Sequence, residues 1–395
     1  MSEFRRNLLT AMNKTEPPIT RDYLTIVALE DGLTAKLSVN ACEYCVDGTG
    51  NWKTLPADTE TETISAGQTL SFRGNLTPSS SVGVGTFTVN RYFNLKGNCM
   101  SLLFGDEAKD CFSLAGKNYA FMNLFYSSNR LVNAKGLVLQ ATTLAIDCYF
   151  QMFRDCTNLT KAPELPAIKL INYCYSSMFY GCTSLIQAPK LPAETMALEC
   201  YHSMFINCIT LTDAPELPAM NLSSSCYNSM FSGCISLTKT PKLPAIILAN
   251  NCYTLMFRNC TSLTEASDLP ATTLQPSCYI GMFTNCNKLQ KPPVISATTA
   301  ASASCHSMFQ NCISLAEAPV LLANKLENNC YAYMFNGCSK LNYVKMLATD
   351  IGATNCLLNW VLGVSSGGTF VKNKDAIWDV AGASGIPKNW TVITE

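Results

Sequence analysis

Cysteine is the residue type in this sequence with the greatest potential for chemistry. The 395 residues include 21 cysteines and only 2 histidines. The segment Cys42-Glu43-Tyr44-Cys45 has the spacing of a redox or metal half-site. A zinc site needs a second ligand pair at a matching distance, and a thioredoxin-like site needs a turn from a strand into a helix. The sequence offers neither near this pair, so we predict a strand here, no metal and no cofactor.

The later cysteines recur at a fixed spacing. The second Cys of each unit falls every 26 residues, at positions 156, 182, 208, 234, 260, 286, 312 and 338. A first Cys precedes it from Cys148 to Cys330, one residue late at Cys305, and Cys356 follows the last unit. Self-similarity of this kind predicts stacked repeats. Neighbours within a column would lie roughly 5 Å apart, so pairwise disulfides are possible, and reduced, packed thiols are the alternative.

The repeated unit predicts which elements position these cysteines. It reads C-Y-x-x-M-F-x-x-C-x-x-L-x-x-A-P-x-L-P-A-x-x-L-x-x-x. Cys148, Met152 and Cys156 stand at i, i+4 and i+8, which predicts a short helix with these three on one face. Pro163 and Pro166 exclude a helix and predict an extended segment. We therefore expect an α/β repeat solenoid in which short helices alternate with extended segments.

The segment Phe179–Pro192 resembles the BspA-like leucine-rich repeats, whose unit is often written F-x-x-C-x-x-L-x-x-I-x-(I/L)-P. The resemblance covers about 240 residues in eight good copies, although this period of 26 is longer than the family's usual one. It implies a curved solenoid with a sheet of parallel strands on one face and short helices on the other. It also implies adhesion or protein binding as the role, without assigning a function to any single residue.

The two histidines and the aromatic residues suggest no catalytic set. His202 and His306 occupy repeat positions where other copies carry Ser or Tyr. There is no fixed Ser–His–Asp or Cys–His arrangement and no phosphate-binding glycine loop. A Tyr follows the first Cys in most copies and is expected to pack as a ladder, with an interface role as the alternative. We therefore predict that the protein is not an enzyme.

Composition and the first residues bear on partners and location. Charged residues make up 14% and the formal net charge is zero, which argues against nucleic acid as the main partner. No apolar run is long enough for a membrane span. The N-terminal apolar stretch is too short and interrupted for a signal peptide. We expect synthesis in the cytoplasm, where thiols stay reduced, followed by association with a virion or with the cell surface.

The remaining segments complete the predicted domain organisation. Residues 1–21 form an arm and linker, in which Phe4, Leu8 and Met12 could dock onto other virion proteins from one helical face. Alternating patterns and turn residues over 22–98 predict a small antiparallel β-sandwich. Atypical capping repeats are expected at 99–147, regular repeats at 148–356 and a C-terminal cap at 357–395.

Two series of outward residues are the candidate binding positions of the repeats. Five residues after each second Cys stand Lys161, Gln187, Asp213, Lys239, Glu265, Lys291 and Glu317. Eight after it stand Glu164, Lys190, Glu216, Lys242, Asp268, Val294 and Val320. We name the first five of each series, together with Trp52, as candidate binding residues. The alternating charges could instead serve as a register device between adjacent strands, and Trp52 could be a rim residue.

The two ends of the chain suggest a biological setting. Ser2-Glu-Phe-Arg-Arg6 and the closing Gly385-Ile-Pro-x-x-Trp390-Thr-Val resemble the ends of phage and prophage proteins of gut bacteria. This resemblance implies a virion appendage or host-attachment protein that binds a protein or glycan on a bacterial surface. A BspA-like surface adhesin is the alternative, and a carbohydrate-binding module acting through Trp52 is a third.

Overall fold

The computed structural model describes residues 23–395, so the predicted docking residues Phe4, Leu8 and Met12 lie outside the described residues. The strands of this part are β1 Leu24–Ala28, β2 Ala35–Leu37, β3 Cys42–Val46, β4 Lys53–Leu55, β5 Thr69–Arg73, β6 Phe87–Val89, β7 Phe93–Asn98, β8 Leu131–Val138, β9 Tyr343–Met346, β10 Thr369–Lys372 and β11 Thr391–Thr394. One short helix, α1 Ser101–Phe104, is followed by the 3₁₀ segment Gly105–Asp110.

The N-terminal strands form a mixed sheet. Its spatial order is β4-β3-β5-β1-β7-β8, and β2 pairs with β6 as a separate two-stranded sheet. All pairs in the larger sheet are antiparallel except β7 with β8. The strand predicted over Cys42–Cys45 is confirmed as β3. The purely antiparallel β-sandwich is wrong, because β8 comes from the start of the repeat region and adds a parallel edge.

The predicted α/β repeat solenoid is wrong. In the described part of the chain, helical residues are confined to 101–110, and none lies between 148 and 356. The segments predicted as helices are runs of turns, and the extended segments form isolated parallel bridges in place of a continuous sheet. The sheets are small and separate, so the parallel sheet face implied by the leucine-rich-repeat resemblance is not present there.

Hydrogen bonding explains why the turns replace a helix. Tyr149 and Gln151 donate their backbone N–H groups to the next repeat, to Cys174 O and Ser176 O at 3.0 Å each. The intervening Phe150 donates back to Asp147 O at 3.1 Å, three residues earlier. An α-helix would send each N–H to the residue four earlier. Here alternate N–H groups donate hydrogen bonds to the next repeat. This run of turns, called the turn ribbon below, is therefore stable only within the stack of repeats.

Backbone conformation sets the four-residue period of this ribbon. Asp147, Gln151 and Asp155 have φ values of 54°, 54° and 58°. The left-handed region disfavours most L-residues and interrupts a right-handed helix. The residue before each second Cys is always Asp, Asn or Gly, the types that enter this region most readily. These are, in order, Asp155, Gly181, Asn207, Gly233, Asn259, Asn285, Asn311 and Gly337.

The interior of the repeats consists of columns of identical side chains. Both cysteines, the Met, the Phe and the Leu of each regular copy are buried. The Phe rings are stacked, for example Phe179 with Phe205 at 5.6 Å between centroids and an interplanar angle of 5°. The Tyr rings form a second stack, with Tyr175 and Tyr201 5.9 Å apart. Stacking buries surfaces that one copy could not cover alone.

Parallel strands close the C-terminal end of the repeats. The sheet β9-β10-β11 is parallel throughout, with Phe370 of β10 between Val344 and Val392. Trp360 is fully buried above it and donates its indole N–H to Gly385 O at 2.7 Å. Within residues 23–395, no helix is long and apolar enough to cross a membrane.

Candidate binding surface

The extended segments place both series of candidate residues at the surface. Lys161 and Glu265 are half-buried, and the other eight members from Glu164 to Asp268 are exposed. The first series coincides with the parallel bridges between repeats: Asn133 of β8 pairs with Lys161, and Lys161 pairs with Gln187. The candidate residues therefore share one side of the repeats, as their spacing predicts.

Glu265 is the clearest case of charge pairing between repeats. Its carboxylate lies 3.4 Å from Lys239 Nζ in the preceding repeat and 2.5 Å from Lys291 Nζ in the following one. The hydrogen bond from Lys291 lowers the pKa of Glu265, and the charges of both lysines lower it further. Glu265 also bridges both neighbours through its backbone. This geometry agrees with a register role for Lys239 and Glu265.

Four other candidates line one groove. Gln187, Lys190, Asp213 and Glu216 surround a depression of about 560 Å³, together with the prolines of the same segments. These prolines are Pro189, Pro192, Pro215 and Pro218. The volume lies within the range of ligand sites, about 300–1,000 Å³.

The parallel bridges between residues of the first series form a column that is interrupted at Asp213, beside this groove. Asp213 makes no bridge to Gln187 or to Lys239 in the described structure. Its carboxylate instead accepts a hydrogen bond from Thr212 Oγ1 at 2.8 Å. Beside this interruption, Lys190, Glu216 and the four prolines line the same groove. The groove can therefore hold an extended chain by mixed polar and apolar contacts.

The cysteines are committed to the interior. All 21 are free thiols, and every cysteine of the repeats is buried. Each second-column thiol donates to the carbonyl oxygen of the Phe one repeat earlier, as Cys208 does to Phe179 at 3.2 Å. Burial raises the pKa of Cys234 to about 12. Such thiols are poor nucleophiles and metal ligands, because both roles need the thiolate.

The two histidines lie in different repeats and have different polar neighbours. His202 Nδ1 is 3.9 Å from Glu199 Oε2, and burial lowers its pKa despite that carboxylate. His306 Nδ1 is 3.1 Å from Ser307 Oγ, and burial also lowers its pKa. Between residues 23 and 395, no group of three or more His, Cys, Asp or Glu side chains is arranged to hold a metal ion.

Trp52 is packed against neighbours at the rim of the N-terminal sheet. The Arg73 guanidinium lies 4.2 Å from the centre of its ring, and the Tyr23 ring meets it edge-on at 4.8 Å. Arg73 is held in turn by Glu43 at 2.8 Å and by Asp106 at 2.7 Å. With a cation over one face, Trp52 presents less free ring surface than a sugar platform requires. This geometry favours the rim interpretation.

Sequence reasoning missed a second depression, on the turn side of the first three regular repeats. It is lined by Asp147, Tyr173, Glu199 and His202, among others. The available signal was that these outward positions carry charged and aromatic residues in the early copies, whereas Ser225, Asn251 and Ser277 occupy the Tyr173 position later. Comparison with family models, curated proteins and solved structures finds no match to this chain.

Proposed function

We propose that this chain is a non-enzymatic recognition protein, carried on a phage particle and binding a protein or glycan of a bacterial surface. The observation that carries the recognition role is the division between interior and exterior. The repeated thiols and phenols are buried, whereas the charged residues of the extended segments are exposed and differ between copies. A constant core with a varied exterior is suited to displaying a binding surface.

The groove at Gln187, Lys190, Asp213 and Glu216 is the proposed contact on the extended side. Its prolines supply apolar area at little entropic expense, because their backbone is already restricted. Lys190 and Glu216 offer charges of both signs at the rim, which favours a partner of mixed polarity over a uniformly charged polymer. The phage setting is supported by the resemblance of Ser2–Arg6 and Gly385–Val392 to phage protein ends.

Charge reversal tests the groove. The variant Lys190→Glu with Glu216→Lys keeps the net charge and reverses both rim charges, and we expect binding to intact bacterial cells to fall at least severalfold in flow cytometry. The matched control, Lys288→Glu with Glu317→Lys, reverses two exposed charges on later repeats outside the groove and should bind normally. Normal binding by the groove variant, at unchanged thermal stability, would exclude this contact.

A surface adhesin is the second candidate, favoured by the resemblance of Phe179–Pro192 to BspA-like repeats. Both candidates use the same exposed residues and differ in where the protein resides. The groove experiment therefore tests the recognition role in either setting. Fractionation of a culture into phage particles and cell envelopes distinguishes a virion protein from a surface adhesin.

A further inference from the structure

We infer that the turn side of the repeats beginning at Cys148, Cys174 and Cys200 carries a second binding site, for an uncharged saccharide. An open cleft of about 550 Å³ lies across these three copies. Asp147, Tyr173 and Glu199 line it from the same slot of successive repeats, and Arg154 and His202 line it as well. This cleft is on the turn ribbon, whereas the groove of the proposed function is on the extended segments.

Tyr173 occupies the centre of the row. Burial raises the pKa of its phenol, and the charges of Glu199 and Asp147 raise it further, so both carboxylates act on the same ring. Its backbone φ is +58°, a conformation that a bulky side chain rarely adopts. The later copies place Ser225, Asn251 and Ser277 there. This slot has a positive φ in every copy from Asp147 to Ser277, so what distinguishes this copy is an aromatic residue placed between two acidic ones in the row.

Hydrogen-bond donors border the same cleft. The Arg154 guanidinium lies over the Tyr180 ring at 4.3 Å and has Asp155 Oδ2 3.4 Å from Nε. Arg154 Nε and His202 Nδ1 are nevertheless buried atoms with no hydrogen-bond partner in the part of the chain described. Buried polar atoms of this kind are uncommon in folded proteins. The side chains of Arg154 and His202 are 30% and 32% exposed, so they can present donors to a ligand that supplies oxygen atoms.

The mixture of groups selects the ligand class. A cationic ligand would meet Arg154, and an anionic ligand would meet Asp147 and Glu199. A saccharide without charge avoids both repulsions: its hydroxyls donate to the carboxylates and accept from Arg154 and His202. Its apolar ring face can pack on Tyr173, because aromatic side chains combine apolar area with a polar tip.

This inference deepens the proposed function, since it rests on a recognition role and names a ligand. It is tested with the purified full-length chain on an array of neutral, acidic and cationic oligosaccharides, followed by titration with the best neutral sugar. We expect Tyr173→Asn to weaken that binding about tenfold or more while the thermal midpoint is unchanged or higher, because Asn tolerates a positive φ better than Tyr. Glu199→Gln should weaken it severalfold.

Tyr333→Asn is the matched control, because Tyr333 also has a positive φ, +56°, and lies outside the cleft. It should bind the sugar normally. The inference is overturned if no saccharide binds, if Tyr173→Asn binds as well as the parent, or if tetramethylammonium or inorganic phosphate competes for the site. Sugar binding by the purified chain is independent of particle association, so failure here is distinguishable from failure of the phage setting.

Discussion

The thiol of Cys182 donates to the carbonyl oxygen of Phe153 in the preceding repeat, with 3.1 Å between Sγ and O. Phe153 O also accepts the backbone N–H of Cys156 at 3.1 Å. The same thiol contact recurs in every copy from Cys156 to Cys338. It explains why this column is Cys: the side chain is small and apolar, yet it supplies a donor between repeats.

Serine should therefore be tolerated differently in the two cysteine columns. We expect Cys182→Ser to cost less stability than Cys182→Ala, because the hydroxyl can still donate to Phe153 O. In the first column, the Cys200 thiol faces the Met196 sulfur at 3.6 Å, which is only a weak acceptor. Here Cys200→Ser should cost more stability than Cys200→Ala. Denaturant unfolding of the four variants measures this, with differences of about 1 kcal/mol expected. The same ranking at both positions would contradict the donor role.

Alkaline pH should unfold the protein abruptly. Burial raises the pKa of Cys148, Cys234 and Cys338 from 9.0 to about 12. Above pH 9 the unfolded chain loses these protons while the folded chain retains them, so the stability is complete below pH 9 and falls as pH rises towards 12. Each such thiol contributes about 1.4 kcal/mol per pH unit, and a whole domain has only about 5–15 kcal/mol.

The measurement is the denaturant midpoint at a series of pH values from neutral to about pH 11. It should be level up to about pH 9 and should fall steeply above that. The control is a repeat protein without buried thiols, whose midpoint should not fall in this pH range. A level midpoint well above pH 9 would show that the columns are accessible to solvent.

Two adjacent glycines test the C-terminal sheet. A Cβ on Gly368 would lie 2.3 Å from Asn342 O, a backbone atom that cannot move aside without separating β9 from β10, whereas a Cβ on Gly367 meets nothing within 4 Å. We expect Gly368→Ala to lower the free energy of unfolding by about 2–4 kcal/mol through overpacking. Gly367→Ala, the matched control, should be nearly neutral. Equal effects on thermal unfolding would argue against the close approach of these strands.

The Tyr column should tolerate loss of its hydroxyls. Tyr149, Tyr175, Tyr201 and Tyr227 each bury an Oη that has no hydrogen-bond partner among the described residues. Removing a buried, unsatisfied polar atom is favourable, so Tyr201→Phe should be neutral or stabilising by about 1 kcal/mol. Phe205→Ala, which deletes a stacked ring of the neighbouring column, should cost about 3–5 kcal/mol. A clear loss of stability in Tyr201→Phe would show that the hydroxyl has a structural role.

The sequence predicted the repeat, its period and its buried columns, but it could not distinguish a helix from a turn ribbon by spacing alone. Cys148, Met152 and Cys156 share a face in either case, because four residues per turn is close to 3.6. The distinction depends on left-handed residues such as Gln151 and Asp155, and on N–H groups that bond to the next copy. The Asp, Asn or Gly before each second Cys was the visible sign.

The candidate surface was predictable only in part. The exposure of Lys190 and Glu216 follows from their place in the period, since the buried Leu191 and Leu217 lie beside them. The groove itself depends on the missing bridge at Asp213, which spacing does not reveal. The cleft at Tyr173 was missed because the repeat was read from its constant positions, whereas Asp147, Tyr173 and Glu199 share a slot whose residue type changes from copy to copy.

Fractionation of the producing culture, with this protein followed by mass spectrometry, tests the proposed role most directly. If the protein is carried on a phage particle, it should band with purified particles in a density gradient and remain there after washing with detergent and salt. If it sediments only with the cell envelope, or stays in the soluble fraction while particles band elsewhere, the proposal of a virion-borne recognition protein is contradicted.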